Sequence, residues 1–158
     1  MNLFWDTSAL LSTIFDEPDS ASAKTAWERS DLDYAWRWLT VEAAAGLARR
    51  RARPSHWAKL DEVLADIRYV DMNPEDVRSL CRDNRDWALR AADAGHFYIF
   101  KKMILVMPEL ELVCFDREIR SVAKRMRLPL WGDAGEGAEI QLRERRARYG
   151  SGKKKKPA

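Results

Sequence analysis

The sequence predicts a single α/β domain with a mostly parallel sheet. Short apolar runs alternate with longer helical patterns, which is the order of strand-helix units in a sheet covered on both faces. Several of those runs end abruptly on an acid that opens the next helix. The chain of 158 residues is 46% hydrophobic and carries seven Trp, five Phe and four Tyr, enough for one real core and not for two comfortable ones.

Asn2 to Trp5 reads as a buried strand, stopped by Asp6-Thr7-Ser8, which caps a helix reaching Phe15. Asp16-Glu17-Pro18-Asp19 breaks that helix, and Ser20 restarts one that runs to Arg29. Asp33 to Trp36 is the second strand. Thr40 is then expected to cap an Ala- and Leu-rich helix that ends in Arg49-Arg50-Arg51, before Pro54. A helix over Ser55 to Asp66 leads to a third strand, Ile67 to Val70, and Asn73-Pro74 opens the next helix. Leu89 to Met107 fits one long buried helix closed by Pro108. Leu110 to Phe115 is the clearest strand, Asp116 begins a helix, and Leu128 to Trp131 forms a last short strand. There is no internal repeat.

Charge is unevenly distributed. Four Arg and four Lys against one Glu place +7 on Leu142–Ala158, which leaves −4 on residues 1–141 for a whole-chain charge of +3. The chain therefore divides into a folded domain over 1–141 and a basic tail over 142–158, expected to be disordered. That tail reads either as a sequence-independent phosphate contact or as a solubilising end. Met1 to Asp6 lacks the basic start and apolar stretch of a secretion signal, and no apolar run reaches bilayer length. Cys81 and Cys114 then read as reduced thiols, so the expectation is a cytoplasmic protein with no membrane partner.

Ligands of parallel α/β sheets bind beyond the carboxyl ends of the strands, so an acid directly after a strand stands where chemistry is done. Asp6 and Asp116 both meet this condition, and both also suit the plainer role of helix N-cap. Glu42 and Asp93 lie inside apolar helical segments, where an unpaired carboxylate is costly. An ion pair with Arg49 would be the ordinary account of Glu42; a capping box with Thr40 fails by one residue. For Asp93 the ordinary account is a pair with Arg90 or Lys101. His96, within an apolar helical segment, reads as a hydrogen-bonded core histidine. The chain has no GxxxxGK[ST], GxGxxG, CxxC pair or HExxH.

Taken in order, Phe4-Trp5-Asp6-Thr7-Ser8-Ala9-Leu10, Thr40-Val41-Glu42 with Leu47 and Arg49, Leu89-Arg90-Ala91-Ala92-Asp93-Ala94-Gly95-His96, and Val113-Cys114-Phe115-Asp116-Arg117-Glu118-Ile119 with Leu128-Pro129-Leu130 resemble the PIN-domain ribonucleases, and among them the VapC-like toxins of toxin-antitoxin pairs. The resemblance runs from about Asn2 to Trp131. Three departures stand out: Cys114, where Thr or Ser is usual, Gly95, where Leu is common, and the Lys-rich tail. The resemblance implies a PIN-like three-layer α/β/α fold with a central, mostly parallel sheet of four to five strands. It implies that Asp6, Glu42, Asp93 and Asp116 converge at one end of the sheet and bind one or two Mg²⁺ or Mn²⁺ ions for hydrolysis of RNA phosphodiester bonds. Hard divalent cations want oxygen ligands, and acids packed this closely need a cation or a shared proton.

On this reading Ser8 supports a carboxylate or the scissile phosphate, or simply caps its helix; Glu118 and Asp133 are weaker additions. Arg49, Arg50, Arg51 and Arg53, with Arg90, Lys101 and Lys102, would rim the site for a polyanion, Arg49 and Arg90 being the chosen RNA contacts. Cations at a helix C-terminus are equally what the helix dipole favours. Trp36 and Trp38 are either base-stacking rings or core. The family further implies a small antitoxin partner in a type II pair, and a homodimer. The alternatives are a solitary RNA-processing nuclease and a non-catalytic RNA- or protein-binding module of the same fold. An aspartyl-phosphate mechanism at Asp6 is disfavoured, because Ser8 stands where a second acid would be required.

Overall fold

A computed structural model describes residues 1–133. The order of elements is β1 (Asn2–Trp5), α1 (Thr7–Ile14), α2 (Ser20–Arg29), β2 (Leu32–Trp36), α3 (Trp38–Arg49), α4 (Pro54–Asp66), β3 (Arg68–Val70), α5 (Pro74–Trp87), α6 (Ala91–Met103), β4 (Glu111–Val113) and α7 (Arg117–Arg125). The four strands form one all-parallel sheet in the order β3-β2-β1-β4. The tail over Leu142–Ala158 and the last residues of the expected 1–141 domain lie outside the described residues. Among the described residues no helix is long and apolar enough to cross a membrane.

The side-chain alternation of β1 divides the core. Phe4 packs with α6, α7 and β4 on one face, against Phe100 at 5.8 Å between ring centroids. Leu3 and Trp5 point the other way, among α1, α3 and α4, where Trp5 meets Trp27 at 5.4 Å. All three are fully buried, as the continuous apolar run requires of a central strand covered by helices on both sides. The result is three layers.

Strand order decides where a site can form. From β1 the chain adds β2 and then β3 on one side, and β4 returns to the other, so the direction of winding reverses between β1 and β4. Such a switch point opens a crevice at the carboxyl ends of the two strands. The register Trp5↔Val113 makes those ends level, and the Asp6 amide continues the ladder to Val113 O at 3.0 Å.

Several boundaries depart from expectation. The helix assigned to begin at Thr40 begins at Trp38, and the Thr40 hydroxyl donates back to Arg37 O at 2.9 Å inside the first turn. The long Leu89–Met107 helix shortens to Ala91–Met103. At its start the Asn84 side chain holds both Leu89 N and Leu89 O, and beyond its end a turn exposes Leu105 and Val106. The expected Leu110–Phe115 strand pairs only over Glu111–Val113, since Arg120 draws the Cys114 carbonyl out at 2.9 Å. The last expected strand, Leu128–Trp131, contributes one bridge, Leu130 to Leu112, flanked by Pro129, which has no amide to donate. Both thiols are free, Cys81 exposed and Cys114 buried.

Candidate active site

Four elements deliver one acid each to the β1/β4 crevice. Asp6 is the N-cap of α1: its Oδ2 accepts from Ser8 N at 3.2 Å and Ser8 Oγ at 2.5 Å. Asp116 is the N-cap of α7, its Oδ1 accepting from Glu118 N at 2.8 Å and Ile119 N at 3.1 Å. In each case one carboxylate oxygen satisfies helix donors, and the other has no protein donor among the described residues. Capping and site chemistry are therefore not rival roles for these two residues. Ser8 does not cap α1, since Asp6 is the N-cap; its amide and hydroxyl both donate to the Asp6 carboxylate.

Asp93 sits in the first turn of α6, half-buried, and no donor among the described residues reaches its carboxylate. Burial first, then the charges of Asp6, Asp116 and Glu42, push it up to about 6. Acids at positions 6, 42, 93 and 116 therefore share one electrostatic neighbourhood.

Glu42, in the second turn of α3, is held differently. Its Oε2 accepts from Thr7 Oγ1 at 2.7 Å and lies 2.7 Å from His96 Nε2, which is itself 3.2 Å from the Thr7 hydroxyl. Burial would raise the Glu42 carboxyl, but the hydrogen bonds from His96 and Thr7 and the charges of His96 and Arg49 bring it below the ordinary value. His96 is 1% exposed, and its Nδ1 has no partner, so the tautomer with the proton on Nε2 satisfies Glu42 at least cost. Glu42 Oε1 has no protein donor among the described residues, and the Glu42 charge acts on Asp93. The ion pair with Arg49 expected for Glu42 is replaced by this triad, with Arg49 acting only at longer range.

Thr7 and His96 hold Glu42 in place, a contact that the sequence did not reveal. The available signal was helical spacing: His96 lies three residues after Asp93, on the same face. Thr7→Val keeps the shape and removes one donor. It is expected to move Glu42 up toward its usual value and to cost about 1 kcal/mol, measured by NMR titration and denaturant unfolding.

The expected cationic rim is only partly available. Arg50 pairs with Glu17 at 2.8 Å and covers the Phe15 ring. Lys101 and Lys102, at the far end of α6, pair with Asp83 and Asp76, so Lys101 does not serve Asp93. Arg49 and Arg90 are exposed, with neither Asp93 nor Glu42 in an ion pair to them. Asp133 is taken up by Arg120 and Lys124 on α7, and Glu118 is exposed. Cys114 is buried under the site, its thiol pushed up by burial and then by the charge of Asp6.

The structure is similar to that of VapC20 of Mycobacterium tuberculosis, a toxin that cleaves the sarcin-ricin loop. The match has a TM-score of 0.57, covers 76% of this chain and 94% of the other, and has 18% sequence identity. This is a PIN-like fold. No protein-family model matches the sequence, and no curated protein is recognisably similar to it. In the PIN-like frame the switch-point crevice carries Asp6, Asp93 and Asp116 at the starts of helices and Glu42 one turn into α3.

The donor set fits a hard divalent cation. Every group in it is a carboxylate, one of them has no donor and is held above its usual pKa by burial and then by its neighbours, and three others have an oxygen to spare. Among the described residues no three His, Cys, Asp or Glu side chains already close around a common point. Asp6, Glu42, Asp93 and Asp116 are the residues that would hold such an ion.

Proposed function

We propose that the protein is a Mg²⁺- or Mn²⁺-dependent endoribonuclease acting as the toxin of a toxin-antitoxin pair. The observation that carries this reading is the neighbourhood of Asp93, where three other acids from separate elements press on one donorless carboxylate. Such repulsion is offset by a held proton or by a cation, and a cation is what four carboxylates from separate elements suit above pH 6. The similarity to a toxin that cuts RNA adds support.

Asp6, Asp93 and Asp116 would hold the ion, and Glu42 would complete the site through Oε1. When bound, the ion supplies a Lewis acid for the phosphate and an acidified water as nucleophile. Thr7 and His96 fix the Glu42 rotamer, and Ser8 fixes Asp6, so the positioning groups are set before substrate arrives. Arg49 and Arg90, both exposed, are the cations offered to the phosphate backbone. A short DNA-binding protein encoded beside this gene is the expected antitoxin, and homodimer assembly belongs to the same reading.

The test is cleavage of RNA by the purified full chain, beginning with structured loops of the kind the similar toxin cuts. Cutting is expected with Mg²⁺ or Mn²⁺ and is expected to stop with EDTA. Undiminished cleavage in excess EDTA would defeat the metal-dependent reading.

A further inference from the structure

We propose that Trp38, backed by Trp36, is the platform on which an unpaired base of the RNA strand stacks while its phosphodiester lies at the acids. This inference rests on the nuclease reading. Trp36 ends β2 and its ring packs against α6 at Gly95: a Cβ there would stand 2.2 Å from Trp36 Cζ3. Any side chain at position 95 would displace that ring, which accounts for glycine where the resembling family commonly has leucine.

Trp38 stacks on Trp36 at 6.0 Å between centroids and 27° between planes, and it is 47% exposed. The intervening Arg37 is committed elsewhere, to Asp71 at 2.8 Å and over the Tyr69 ring, so it pins the chain between the two indoles. Val41, one helical turn beyond Trp38, is 51% exposed and extends the apolar surface beside Glu42.

The platform is joined directly to the site. Trp36 meets the His96 ring edge-on at 5.3 Å, and His96 bonds Glu42 at 2.7 Å. Two side chains make too small a patch for the core of a protein-protein interface, which needs on the order of 800 Å² per partner. A single planar base needs no more than an open aromatic face, and stacking tolerates any base.

The test uses wild type, Trp38→Phe, Trp38→Leu and Trp38→Ala, with a single-stranded oligoribonucleotide and its uncleavable analogue, in which methylene replaces the leaving oxygen of each phosphodiester. Trp38→Ala and Trp38→Leu are expected to weaken binding of the analogue roughly 5- to 100-fold, with Trp38→Phe restoring most of it. The slope of binding against salt is expected to stay unchanged, because stacking releases no counterions. Removing the base at one nucleotide is expected to weaken wild type similarly and Trp38→Ala little further.

Wild-type binding by Trp38→Leu, or an abasic series in which every position adds fully to Trp38→Ala, would overturn the platform while leaving the nuclease standing. So would variants that bind RNA normally but lose a protein partner. A wild-type chain that neither binds nor cuts RNA would remove both readings.

Discussion

Asp93→Asn is expected to abolish RNA cleavage and to stabilise the protein at neutral pH. Cleavage should fall by at least about three orders of magnitude, since losing an ion-holding carboxylate removes several kcal/mol of transition-state stabilisation. The stability gain has a different source. Asp93 titrates at about 6 in the fold, against an ordinary 3.8, because burial and three neighbouring acids disfavour its charge. The folded state therefore binds this proton more tightly than the unfolded chain does. The stability linked to it is fully present below pH 3.8 and is lost as the pH rises through 6. Half exposure screens the effect, so its size is on the order of 1 kcal/mol.

Denaturant unfolding of both proteins from pH 4 to 8 checks the sign: the advantage of Asp93→Asn should be small at pH 4 and grow until about pH 7. Mg²⁺ should raise the melting temperature of wild type more than that of the variant. Equal pH dependence in the two proteins would mean that the acids do not press on one another. Cleavage persisting in Asp93→Asn and Asp6→Asn would mean the chemistry lies elsewhere.

Trp5→Ala is expected to be the most damaging change to the fold, at roughly 3–5 kcal/mol. Trp5 is fully buried, packs on Trp27, and donates from Nε1 to Asp33 Oδ1 at 2.6 Å, tying β1 to β2. Its loss would leave a cavity one residue from Asp6, and burial already pushes the Asp33 carboxyl up. Trp5→Phe retains most of the packing and should cost about 1–2 kcal/mol, chiefly the charge-assisted bond. Chemical denaturation of the pair separates packing from hydrogen bonding. If the two variants were equally destabilised, the bond to Asp33 would dominate instead.

The elements were readable because their signals are local. Asp6 and Asp116 announce helix starts behind apolar strands, and Asn73 with Asp76 closes a capping box at the start of α5. The misplaced boundaries have non-local causes. Asn84 captures Leu89 from α5, Arg120 pulls Cys114 out of the sheet from α7, and the short step from Trp36 to Trp38 starts α3 before Thr40. Periodicity within a segment carries no record of a partner in another one.

The amino-acid order by itself determined that this is a strand-helix protein with acids at the starts of helices and with buried acids in α3 and α6. What only the tertiary structure decided is which groups meet: Glu42 with Thr7 and His96, Trp36 with Gly95, and Asp93 with three acids and no donor. The physical reason is the strand order. By returning β4 to the far side of β1, the fold makes neighbours of residues as distant along the chain as Asp6 and Asp116, and electrostatics and hydrogen bonding depend on distance in space.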